Sequence, residues 1–313
     1  MAIDKKFVDY FINVTSKAAL AASYLVGKKD KIAADKAAVD SMRSQLNQMN
    51  IKGRIVIGEG ELDEAPMLFI GEKLGKNVGP ELDIAVDPLE GTNFAANNLA
   101  GALSVIAITE KNNLFNAPET YMEKISTKVN EKGVVDLDYS TKENIFNLCE
   151  YLNKKPESIT ACILDRPRHK GIIDELNILG VKIKLITDGD VSGALLVTDD
   201  KYGVDIFLGI GGGPEGVLAS AALDTFECNF QGRFLFHTEK DKRRAHKMGI
   251  SNLKKKYELD EIVKGDSIFC ATGITSGDLV SGIRTENNEF ISETLVTHKS
   301  TGLKKIIKKV VNR

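Results

Sequence analysis

The sequence predicts an α/β protein, either one large unit or two fused halves. The chain has 313 residues with 42% hydrophobic content, enough to bury a sizeable core. Apolar residues recur at helical spacing in some stretches and form short β-rich runs in others, and in the second half the two kinds alternate. Several apolar runs also end abruptly in acids, glycine and proline. The clearest is Asp83-Ile84-Ala85-Val86-Asp87-Pro88-Leu89-Glu90-Gly91-Thr92-Asn93.

In chain order, Phe7, Phe11, Val14, Ala18, Ala22 and Leu25 lie at helical spacing, and Gly27 follows as a C-terminal stop. A short charged link, 28–31, leads to a second helix with Ala38, Met42, Leu46 and Met49 on one face. Asp35 sits near its first turn, where a carboxylate complements the helix dipole. Residues 54–57 read as a strand running into Gly58-Glu59-Gly60-Glu61, and Pro66 is expected to open a helix containing Met67, Leu68, Ile70 and Leu74. The run 83–87 is a buried strand that Pro88 and Gly91 are expected to stop in a tight turn. Residues 102–108 form a further strand. From 129 to 140 the pattern turns polar, which places a boundary between halves of residues 1–130 and 131–313.

In the second half, 159–164 is a strand ending in Asp165-Arg166-Pro167-Arg168-His169, and Ile172, Ile173, Leu176 and Leu179 mark the helix after it. Residues 181–185 alternate with period two and end at Thr187-Asp188-Gly189-Asp190, where Asp190 is expected to cap a helix over 191–197. A strand over 204–210 enters Gly211-Gly212-Gly213-Pro214-Glu215-Gly216, followed by an Ala- and Leu-rich helix. Residues 267–271 read as the last clear strand, and 304–311 as a terminal amphipathic element with a solvated lysine face.

Composition excludes several function classes. A formal charge of -2 and a pI near 6.2 give no basic field for nucleic acid or a membrane surface. Aromatics are 6% with no Trp, which argues against stacking platforms for single strands. Cys149, Cys162, Cys228 and Cys270 are widely spaced, without a C-x-x-C pair, which fits a reducing cytoplasm. No signal-peptide pattern opens the sequence and no apolar run is long enough to span a bilayer.

The chemistry concentrates at strand ends. Asp87 and Glu90 repel one another, and no lysine or arginine lies inside the turn, so a hard divalent cation with oxygen ligands is the natural counter-charge. Glu59, Glu61, Asp63 and Glu64 fall at the preceding strand end; an acidic loop before a helix is commonly solvated capping, but two neighbouring acidic strand ends suit a multi-metal pocket. Arg166 and Arg168 flank Pro167, whose restricted backbone holds two guanidinium forks that match phosphate oxygens. His169 beside them reads as structural, and the other three histidines fall in polar helical or terminal contexts. The 209–216 turn supports a rival reading, a pyrophosphate cradle in a dinucleotide-binding oxidoreductase. Its spacing is not G-x-G-x-x-G, and Glu215 would put negative charge where the pyrophosphate should sit. A further alternative is a non-catalytic sugar-phosphate binder.

The Asp-Pro-x-acid-Gly-Thr turn resembles the lithium-sensitive sugar-phosphatase superfamily that includes inositol monophosphatases, most of which carry Asp where this chain has Glu90. Together with residues 57–68, it is similar to the class II fructose-1,6-bisphosphatases of bacteria, and the likeness runs nearly the whole chain. The resemblance implies a sugar-phosphatase fold of alternating helix and sheet layers, an acidic metal-binding half and a substrate-binding half, with the site between them. It implies Mg²⁺ or Mn²⁺ held by Asp35, Glu59, Asp87, the Leu89 carbonyl, Glu90 and Glu215, and an attacking water oriented by Thr92 with Asp35, assisted by Glu61 and Asp63. Glu90, Gly91, Thr92, Tyr121, Arg166, Pro167, Arg168, Asp188, Gly189, Asp190 and Gly212 would hold a sugar bisphosphate. It further implies a gluconeogenic cytoplasmic enzyme that is a homo-oligomer, with no nucleic-acid or membrane partner. Leu89 with Asn93 is similar to members that also hydrolyse sedoheptulose 1,7-bisphosphate.

Overall fold

The computed structural model describes residues 2–58 and 68–311. The chain divides into two compact units, residues 1–116 with 263–313 and residues 117–262. The first unit opens with α1 (Lys6–Ser23), α2 (Lys31–Asn47), β1 (Lys52–Ile57), β2 (Lys73–Leu74), β3 (Glu81–Glu90), α3 (Thr92–Asn97) and β4 (Leu103–Glu110). The second contains β5 (Tyr121–Thr127), α4 (Thr141–Leu152), β6 (Thr160–Leu164), α5 (Lys170–Ile178), β7 (Lys182–Ile186), α6 (Asp190–Leu195) and β8 (Ile206–Gly212). It continues through α7 (Gly213–Thr225), β9 (Asn229–Leu235), α8 (Glu239–Lys247), β10 (Lys256–Glu258) and α9 (Leu259–Ile262). The chain then returns to the first unit as β11 (Ser267–Gly273), β12 (Arg284–Glu286), β13 (Glu289–His298) and β14 (Leu303–Val311).

The α/β class is as the sequence indicates. In the first unit the sheet order is β12-β13-β11-β4-β3-β1-β2, with β14 on β13. The helical stripe of α1, from Phe7 through Phe11 and Ala18, packs with Ala38, Met42 and Leu46 of α2 against Ile84, Ile106, Ile108 and Cys270 of the sheet. In the second unit the order is β10-β9-β5-β8-β6-β7. Ile125, Ala161 and Ile206 bury one face of that sheet with Ile145 and Leu148 of α4 and Leu176 of α5.

Several expectations are corrected. The packing division does not follow a cut at 130/131: β11 pairs antiparallel with β4, so the C-terminal strands belong with the first unit. No helix spans 68–74; Leu74 lies in β2 on Gly53 of β1, and Gly71 and Gly75 take φ of 95° and 92°, which a helix does not admit. Pro66 and Met67 lie outside the described residues. Residues 267–271 are followed by three more strands, and the terminal lysine run is β14, hydrogen-bonded to β13 along its length. Its lysines occupy a sheet edge, where charge discourages pairing with another chain. His298 is not in a polar terminal context but fully buried on β13, with Nε2 3.1 Å from Asp266.

Candidate functional site

In the first unit, β1 and β3 are parallel neighbours, and the last residue of β1, Ile57, pairs with Ala85, two residues before Asp87. The strand does not stop at Pro88. It continues to Glu90 through a bulge, because Asp87 pairs with Val105 and Glu90 with Leu103 of β4. Three steps on β3 thus match two on β4. In a regular strand, residues three apart face opposite sides. The extra residue restores the phase, and Asp87 and Glu90 share one face of the sheet. Proline is tolerated there because a bulge leaves an N–H out of the ladder. Glu90 is buried and Asp87 half-buried.

Gly91 follows with φ of 77° and caps α3, and a Cβ there would lie 2.8 Å from the Phe94 ring. Glycine therefore lets the chain reverse from strand to helix within one residue. Thr92 is the first residue of α3. Asp35 lies on α2, which packs on both β3 and α3, and its helix is capped instead by Asp30, whose side chain accepts from the Ala33 N–H at 2.9 Å. Asp83, earlier on β3, is fully buried in an ion pair with Arg54 at 2.9 Å and belongs to the scaffold.

In the second unit, β6 runs parallel to both β7 and β8, so three C-terminal strand ends gather the remaining residues. This is the edge of an α/β sheet where ligands bind. Arg166, Pro167 and Arg168 follow β6; Asp188, Gly189 and Asp190 follow β7; Gly212 ends β8 and Glu215 lies in the first turn of α7. Tyr121 on β5 pairs directly with Gly212. Arg166 Nη2 lies 3.9 Å from Asp188, while Arg168 donates from Nε and Nη2 to the Ile210 carbonyl at 2.9 and 2.7 Å. The Arg168 guanidinium also sits 4.9 Å over the Tyr121 ring, a cation–π contact that holds both side chains.

Asp190 is not the expected cap. Gly189, with φ of 82°, takes the N-cap position of α6, and the buried Asp190 carboxylate pairs with the buried Lys124 ammonium. Lys124 Nζ also donates to the Gly212 carbonyl at 2.7 Å. The glycine run makes room for these acids. A Cβ on Gly211 would lie 2.0 Å from Asp190 Oδ2, and one on Gly212 1.8 Å from Glu215 Oε2. The turn is thus filled by carboxylates, which leaves no cradle for a pyrophosphate. Burial raises the Glu215 carboxyl above the ordinary range, and the charge of Lys124 opposes that rise only in part. Lys124 was not singled out in the sequence. Its signal was period-two alternation, which places it with Met122 and Ser126 on the inward face of β5.

His169 is structural, as expected. It is fully buried; Nδ1–H donates to the Leu164 carbonyl at 2.6 Å, and Nε2 accepts from the Ile210 N–H at 2.7 Å. Burial lowers its pKa below the ordinary imidazole value, and the bond to Leu164 offsets part of this. As pH falls, the unfolded chain takes up this proton first, so the contribution is complete above about pH 6.5 and is lost on acidification. The denaturation midpoint should drop between about pH 7.5 and about pH 5.5, and drop less in His169→Gln. Equal drops in both proteins would assign the effect elsewhere.

Among the described residues, no group of three or more His, Cys, Asp or Glu is placed to hold a metal ion by itself. Glu59, Glu61 and Asp63 lie outside the described residues. The donors that are described nevertheless suit a hard cation: paired carboxylates on the bulge face and, in the second unit, a Glu215 whose charged form needs more positive charge than Lys124 supplies.

Comparison with known proteins agrees with this chemistry. A family profile described as bacterial fructose-1,6-bisphosphatase, glpX-encoded, matches residues 5–311. The chain is 42% identical over 310 residues to fructose-1,6-bisphosphatase 1 class 2 of Escherichia coli (strain K12), covering 95% of this chain and 92% of that one. It is 40% identical over 319 residues to a D-fructose 1,6-bisphosphatase class 2/sedoheptulose 1,7-bisphosphatase of Synechococcus sp. (strain JA-3-3Ab), covering 94% and 92%. Among solved structures, inositol monophosphatase from Anabaena aligns at 14% identity and TM-score 0.33, over 62% of this chain and 71% of that one, too distant to carry an argument. With a profile match over nearly all its length and relatives at about this identity, the chain belongs to the class 2 fructose-1,6-bisphosphatase family, whose members are phosphoric monoester hydrolases.

Proposed function

We propose that this protein hydrolyses fructose 1,6-bisphosphate to fructose 6-phosphate and inorganic phosphate, using Mg²⁺ or Mn²⁺. The observation that carries the reading is the bulged end of β3, which sets Asp87 and Glu90 on one face immediately before Thr92, in a chain matched by its family over residues 5–311. Asp35, Glu59, Asp87, the Leu89 carbonyl, Glu90 and Glu215 would hold the cations. Bound metal would supply charge neutralisation at the phosphoryl and leaving oxygens and increase the acidity of the attacking water. Thr92 would accept a hydrogen bond from that water and donate its own to Asp35, aiming a lone pair at phosphorus. Glu61 and Asp63 would complete the proton network.

Tyr121, Arg166, Arg168, Asp188, Asp190 and the backbone at Gly91, Pro167, Gly189 and Gly212 would hold the sugar and its second phosphate. Arg166→Ala should raise KM for the bisphosphate by about 10- to 100-fold, the loss of one charge-assisted contact of about 1.5–3 kcal/mol. Arg168→Ala should cost more, because it also strips the Ile210 carbonyl and the Tyr121 ring of their partner. A sugar monophosphate should be much less affected, and equal losses for both substrates would give the arginines another role.

Sedoheptulose 1,7-bisphosphate is a second substrate favoured by the Leu89/Asn93 pairing and by the dual name of the Synechococcus relative. A reducing cytoplasmic setting is consistent with four buried cysteines that form no disulfide, and a gluconeogenic role follows from the proposed reaction alone. No helix among the described residues is long and apolar enough to cross a membrane. A homo-oligomer remains part of the proposal, to be read from light scattering. The function itself is tested with a panel of the two bisphosphates, their monophosphates and NAD, under added Mg²⁺ or Mn²⁺. Phosphate release confined to the bisphosphates is expected. Tight sugar-phosphate binding without release would instead support the non-catalytic reading.

A further inference from the structure

Lys124 is an uncommon residue for the middle of a sheet. It is among the largest fully buried side chains of the protein, at 2% exposure, on a strand whose neighbours on the same face are Met122 and Ser126. Ser126 donates to the Ala194 carbonyl of α6, so this face of β5 looks towards α6. The stem runs beneath α7, where a Cβ on Gly216 would lie 3.2 Å from Lys124 Cδ. At its end, the ammonium reaches two separate strand ends: Asp190 Oδ2 after β7 and the Gly212 carbonyl at the end of β8. Burying an ammonium is costly unless it is paired, and removing one partner of such a pair strands the other.

Only one oxygen of Asp190 is used in this way. Oδ1 is buried and receives no hydrogen bond among the described residues. A buried carboxylate oxygen without a donor is unfavourable in the free protein, and a ligand hydroxyl that donates to it removes that penalty. With Oδ2 fixed by Lys124, the carboxylate has one orientation in which to offer Oδ1. We infer that Lys124, its ammonium anchored on the Gly212 carbonyl, is a positioning residue for substrate, which locks the Asp190 carboxylate so that Oδ1 is presented to a sugar hydroxyl. This rests on the proposed function insofar as it takes the bound molecule to be a sugar phosphate.

The test is a double-mutant cycle of Lys124→Met and Asp190→Asn, with kcat and KM for fructose 1,6-bisphosphate and calorimetric affinity for fructose 6-phosphate. Lys124→Met keeps the stem and removes the charge. It should raise KM about 10- to 100-fold with kcat within about threefold, and weaken fructose 6-phosphate in parallel. Because the lysine acts through the aspartate, the double variant should bind no worse than Asp190→Asn alone. An unchanged KM in Lys124→Met, or penalties that multiply in the double variant, would overturn the inference. If Lys124→Met fails to fold, Asp190→Asn is compared with the double variant, which leaves no charge unpaired. Equal KM values then support the inference, and a further tenfold rise overturns it. If the parent releases no phosphate, the functional reading is what fails. Lys124 is then judged on a crystal structure of Lys124→Met, where an Asp190 carboxylate still in place would overturn the positioning role.

Discussion

Replacing Thr92 with alanine is expected to lower kcat by about 10²- to 10⁴-fold, the usual worth of a positioned proton-transfer group, while leaving KM within about threefold. The hydroxyl stands at the first position of α3, immediately after the Gly91 reversal, two residues beyond Glu90 on the bulged strand. Its removal leaves the carboxylates untouched, so metal affinity should be preserved. Thr92→Ser keeps the hydroxyl and should retain far more activity than Thr92→Ala. Kinetics and metal binding of both variants check the point. Parent-like turnover in Thr92→Ala would reduce Thr92 to a residue of the turn.

The second large effect is complete loss of activity on removal of divalent metal. Asp87 and Glu90 share a face of the sheet, and Glu215 is a carboxyl whose burial already disfavours its charged form. A phosphate ester adds further negative charge, and the Asp87–Glu90 pair stays fully ionised beside it only with cations. Protein treated with EDTA and desalted should be inactive, and Mg²⁺ or Mn²⁺ should restore it. Full phosphatase activity in excess EDTA would remove the metal mechanism. Lithium inhibition is the companion expectation from the sugar-phosphatase superfamily.

Much of the site was legible because strand-end chemistry is local. The acids, glycine and threonine of 87–92 could be read as a group, and the strand before them was expected to be a neighbour, as the parallel pairing of β1 and β3 shows, while its acids at 59–64 lie outside the described residues. The mechanism that aligns Asp87 with Glu90 was not legible. Pro88 read as a stop, whereas it sits in a bulge whose existence depends on the register against β4. Register is a property of two strands, and the sequence of one does not state it. Asp190 failed for a related reason. Its position before a helix suits a cap, but a buried ammonium from β5, 66 residues earlier, takes the carboxylate instead. The expected helix over 68–74 rested on the spacing of Leu68, Ile70 and Leu74; positive φ at Gly71 and Gly75 overrides it. The later strands β12 and β13 were missed, and 304–311 was read only as an amphipathic element, because their alternation is blurred by lysines and by hydroxyls, several of the latter buried, as Ser292 and Thr294 are.

The claim at the centre of this account is that the chain removes one phosphate from fructose 1,6-bisphosphate. The direct measurement is phosphorus NMR of purified, Mg²⁺- or Mn²⁺-loaded protein turning over that substrate. The account predicts one equivalent of inorganic phosphate per sugar, with fructose 6-phosphate as the remaining phosphoester. An unchanged spectrum with the metal present, or fructose 1-phosphate as the product, would contradict it.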